Sequence, residues 1–120
     1  MADRVVTSPV NPRVKALVGL RRRRVREQTG LTLVEGHEEV ALALAAGVAP
    51  RALYYCPELF SPSGRAGTQE IGTQDALLER VRSSGADVVR LSRAAFGKAA
   101  YREGPDGIMA ELPWAKARSR

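Results

Sequence analysis

Arg13, Lys15, Arg21, Arg22, Arg23, Arg24 and Arg26 place seven cations within fourteen residues. Guanidinium forks match phosphate oxygens, so such a cluster can bind a polyanion and steer its approach. The competing account is a solvated helix end whose cations suit the negative pole of the helix dipole. The charge balance favours the first. Residues 1–30 carry eight Arg or Lys against Asp3 and Glu27, a surplus of +6, whereas residues 31–120 carry eleven of each sign. Nucleic acid is the first partner to consider for a basic arm of this kind.

A second place for chemistry is the sequence Glu35-Gly36-His37. Gly36 lets a backbone or ligand come close, and the orphan N–H groups of a following helix form an anion site. Glu38 and Glu39 fall in that first turn and oppose phosphate. His37 can hydrogen-bond or stack on a base, yet as a lone histidine without an identifiable acid or nucleophile partner it also reads as a plain turn residue. No phosphate-loop, dinucleotide-binding, zinc-protease or nucleophile-elbow pattern occurs. One His and one Cys give no zinc-type ligand spacing, and Cys56, after Ala52-Leu53-Tyr54-Tyr55, reads as a buried strand-end thiol. No catalytic, cofactor-binding or metal-binding residue is expected.

The elements that position these residues can be read from their punctuation. Asn11 caps a helix that opens at Pro12 and carries Val14, Leu17, Val18 and Val25. Four consecutive arginines cannot share one helix face, so Arg21 to Arg24 are expected beyond the packed body or in a loop. Leu31 to Glu35 reads as a strand, and Gly36 leads into a helix through Val40 and Leu44 that Gly47 stops. Arg51 to Cys56 is a second strand, Thr73 to Ser84 a helix, and Asp87 to Leu91 a third strand running into Ser92 as a cap. A short helix through Phe96 and a strand from Gly107 to Leu112 follow. Residues 57–72 are expected to form a mobile loop rich in Gly, Pro and Ser, and the tail from Trp114 a linker. This alternation predicts an α/β domain with helices covering a central sheet. At 120 residues the chain suits one domain, and it has neither an apolar run of membrane-spanning length nor a signal peptide pattern, so a cytoplasmic protein is expected.

The ordered strings Ser8-Pro9-Val10-Asn11-Pro12-Arg13-Val14-Lys15, Arg21 to Arg24, Gly30-Leu31-Thr32-Leu33-Val34-Glu35-Gly36 and Gly104-Pro105-Asp106-Gly107-Ile108 carry a resemblance. Together they are similar to the N-terminal substrate-binding domain of SpoU (TrmH) family RNA 2′-O-ribose methyltransferases. The resemblance implies an α/β/α sandwich like the ribosomal L30e and L7Ae proteins over residues 1–112, with residues 113–120 opening a linker. It implies that methyl transfer and S-adenosylmethionine belong to a separate knotted C-terminal domain that usually dimerises. By position, Arg13, Lys15, Arg21, Arg22, Arg23, Arg24 and Arg26 would meet RNA phosphates, and Glu35, Gly36 and His37 would lie in a loop used on RNA. Tyr101 and His37 are the stacking candidates. The implied partner is ribosomal RNA first and transfer RNA second, with no membrane and a monomeric state for this chain. Housekeeping and antibiotic-resistance roles both occur in the family. A stand-alone binder of structured RNA is the alternative.

Overall fold

The computed structural model describes residues 3–60 and 73–114. The 61–72 part of the expected loop and the tail at 115–120 lie outside the described residues. Five strands form one mixed sheet: β1 (Arg4–Val6), β2 (Leu31–Glu35), β3 (Ala52–Tyr55), β4 (Asp87–Leu91) and β5 (Ile108–Pro113). Their order is β1-β4-β3-β5-β2. β1 and β3 run parallel to β4, whereas β5 is antiparallel to both β3 and β2. The helices are α1 (Pro12–Gly19), α2 (Arg23–Thr29), α3 (His37–Ala45), α4 (Thr73–Ser83) and α5 (Arg93–Ala99).

Two apolar layers flank the sheet. Val14, Leu17 and Leu20 pack with Ala95, Phe96 and Ala99 of α5 over Leu33, Tyr54, Val89, Leu91 and Met109 on one face. Val40, Leu77, Leu78 and Val81 cover Leu53, Tyr55, Val88, Ile108 and Ala110 on the other. This is the expected α/β/α sandwich. Alternation along the strands explains it, because successive side chains point to opposite faces and β3 and β5 are central enough to be buried on both.

Local chemistry sets the helix starts. Asn11 accepts from the N–H of Arg13 at 2.8 Å, and Ser92 accepts from the N–H of Ala95 at 3.0 Å. Three features depart from the sequence reading. The single helix expected from residue 12 through Val25 is broken, with Leu20 closing α1 and an extended Arg22 opening α2. Leu20 is buried while Arg21 to Arg24 are exposed, and one straight helix cannot serve both demands. β1 was not foreseen. Trp114 is tied down rather than loose, its N–H donating to the Gly30 carbonyl at 2.8 Å.

Candidate nucleic-acid interface

The basic cluster divides into cations that hold the fold and cations that project from it. Arg21 sends Nη2 to the carbonyls of Lys98, Ala99 and Ala100 at 3.3, 3.1 and 3.1 Å, so it caps the C-terminus of α5. Arg26 donates through Nη1 to the carbonyls of Leu20 and Arg21, both at 2.9 Å, and its guanidinium lies 5.2 Å from the centre of the Trp114 ring. Those bonds stitch the turn between the two basic helices. Arg13 donates through Nε to the Tyr54 hydroxyl at 3.1 Å and pairs with Asp87. Tyr54 in turn donates to Glu111 at 3.3 Å, and burial pushes the phenol up to about 12. Arg23 makes an exposed i,i+4 pair with Glu27.

Lys15, Arg22 and Arg24 differ. All three are exposed, and among the described residues their side chains make no hydrogen bond or ion pair. They are the members of the cluster whose charge is uncommitted. Sequence reasoning treated the seven cations alike because the partners of Arg21 lie 77–79 positions away.

The turn after β2 is internally satisfied. Gly36 sits at φ 107°, a left-handed value that suits glycine, and a Cβ there would fall 2.1 Å from Nη1 of Arg102. That same Nη1 donates to the Glu35 carbonyl at 2.6 Å. The Glu35 side chain is buried, and its Oε1 accepts from the N–H groups of Tyr101 and Arg102 at 3.0 and 3.2 Å. Its Oε2 has no partner among the described residues. His37 donates its backbone N–H to Asp106 Oδ2 at 2.9 Å, and its Nδ1 lies 2.8 Å from the same oxygen. Asp106 therefore fills the position at the start of α3 where the sequence suggested an external anion. It is also the acid partner that His37 lacked in the sequence reading, and a separation of 69 positions hid it. Glu35 and Gly36 hold the segment carrying Tyr101 and Arg102, and the Tyr101 ring itself is exposed.

Cys56 is buried at the end of β3, and burial pushes its thiol up, away from the reactive thiolate. Among the described residues no group of three or more His, Cys, Asp or Glu could hold a metal ion. No described helix is long and apolar enough to cross a membrane.

The family model of the MRM3-like substrate binding domain matches residues 11–110. Among solved structures, an rRNA methyltransferase from Sinorhizobium meliloti is 20% identical at a TM-score of 0.71, over 93% of this chain and 37% of that one. An RNA 2′-O ribose methyltransferase is 23% identical at a TM-score of 0.71, over 97% and 40% respectively. The SpoU methyltransferase AviRb from Streptomyces viridochromogenes, in complex with the cofactor AdoMet, is 21% identical at a TM-score of 0.63, over 88% and 34%. The chain thus spans well under half the length of these proteins, with which it shares a fold. No curated protein matches the sequence.

Proposed function

Because the chain belongs to the MRM3-like substrate binding domain family, we propose that it is the RNA-recognising domain of an S-adenosylmethionine-dependent RNA 2′-O-ribose methyltransferase. On this reading it holds ribosomal RNA, or else transfer RNA, in the cytoplasm while a separate C-terminal domain transfers the methyl group. The observation that carries the proposal is the basic corner at α1 and α2, where Lys15, Arg22 and Arg24 project with their charge uncommitted. The match to a substrate binding domain favours this over a stand-alone RNA binder.

Chemically the corner can neutralise phosphates, and the domain's task is positioning, which converts an encounter between RNA and catalytic groups into an oriented complex. The test is binding to a panel of ribosomal RNA fragments over a range of salt. Each phosphate contact on a single strand contributes about 0.7 to the slope of log K against log salt. Replacing Lys15, Arg22 and Arg24 together by alanine is expected to weaken binding to every fragment and to reduce that slope by about 2. Unaltered affinity and slope would overturn the proposal.

A further inference from the structure

We propose that the cleft beside Tyr101 receives a single unstacked nucleobase, an inference that rests on the RNA-binding reading above. Leu20, Arg21, Arg26, Thr32, Leu33 and Tyr101 line a cleft of about 380 Å³, within the range of pockets that enclose small ligands. Its apolar floor is made by Leu20 and Leu33, which are nearly buried. Its rim carries Tyr101, a residue 57% exposed, whose ring suits the face of a flat heterocycle. Thr32, beside Leu33 on the edge strand β2, completes the lining.

The walls of this cleft are fixed before any ligand arrives. Glu35, buried beneath the loop, accepts the Tyr101 and Arg102 N–H groups and so ties the ring-bearing segment to β2. Arg21 ties the three residues before Tyr101 to the turn between α1 and α2. A rigid aromatic wall loses little entropy on binding, which favours affinity. Charge selects the occupant. Arg22 follows directly on the cleft-lining Arg21, and Arg24 lies between it and the cleft-lining Arg26, so the groups available around the base site are cations suited to the flanking phosphates. Unpaired RNA supplies both parts, an accessible base and its neighbouring phosphates.

The experiment uses the full chain and the best-binding RNA fragment, prepared intact and with an abasic residue at each unpaired position in turn. Tyr101→Ala is expected to weaken binding of intact RNA about tenfold, the scale of one base–aromatic stack, while leaving the salt slope in place. At one position the abasic residue should cost the same factor, and there Tyr101→Ala should cost nothing further. Tyr101→Phe, which keeps the ring, should retain the interaction. Melting curves check that both variants are folded, as the exposure of the ring leads one to expect. Undiminished binding by Tyr101→Ala, or losses that multiply at every position, would overturn the base site alone. Failure of the unaltered chain to bind any RNA would overturn the RNA reading beneath it.

Discussion

At the scale of single residues, arginines of one run do different work. A guanidinium that donates to several carbonyls at a helix end contributes charge-assisted hydrogen bonds, whereas one that projects into water contributes almost nothing to stability. Arg21→Ala is therefore expected to lower unfolding free energy by about 1–2 kcal/mol, while Arg22→Ala should stay within about 0.5 kcal/mol of the parent. Urea denaturation of the two variants checks this, and equal losses would contradict the division of the cluster. Gly36→Ala is the sharper case. The new methyl group must expel the Arg102 guanidinium and the backbone must hold a left-handed angle, so a loss of about 2 kcal/mol or more is expected in the same assay. Composition shows that cations are abundant at residues 13–26, and chain order alone cannot show which of them finds a carbonyl on α5.

Elements were legible where their signals are local. The Asn11-Pro12 start, the Ser92 cap, Gly30 in the left-handed conformation after α2, and the apolar strands β2, β3 and β4 all depend on near neighbours. β1 was not, because three residues give too short a pattern and the strand exists through its pairing with β4 and the contacts of Asp3 just before it. Asp3 meets Arg82 at 2.7 Å and accepts from the Tyr55 hydroxyl at 2.7 Å. The Arg82 hydrogen bond holds its carboxyl below 3.8. The stability it contributes is thus present above the unfolded value and lost as pH falls through the lower folded one. Asp3→Asn should cost about 1 kcal/mol at neutral pH and little in strong acid. Glu111 behaves oppositely, since burial raises it above 4.5 and the fold prefers its protonated form. Its charge opposes folding increasingly as pH rises through that window, so Glu111→Gln is expected to stabilise at neutral pH and to flatten the pH dependence there. Denaturation of both variants between acid and neutral pH separates these opposite slopes.

For the molecule as a whole, the sandwich offers a rigid body with one basic corner. We expect the chain alone to sediment as a monomer, and to transfer no methyl group to RNA from S-adenosylmethionine even where it binds that RNA. On the proposed reading, the catalytic half of the reaction would be joined to it. That join has a fixed point of departure. β5 ends at Pro113, and Trp114 is fastened to Gly30 by its N–H and to Arg26 by its ring, so the chain leaves the sheet beside α2. Any segment attached after Trp114 begins its path at the basic corner itself. RNA captured there would meet that segment as a tethered neighbour, at an effective concentration on the order of millimolar for a short flexible connection. Trp114 thereby sets the origin of the leash on which a second domain would search for its ribose.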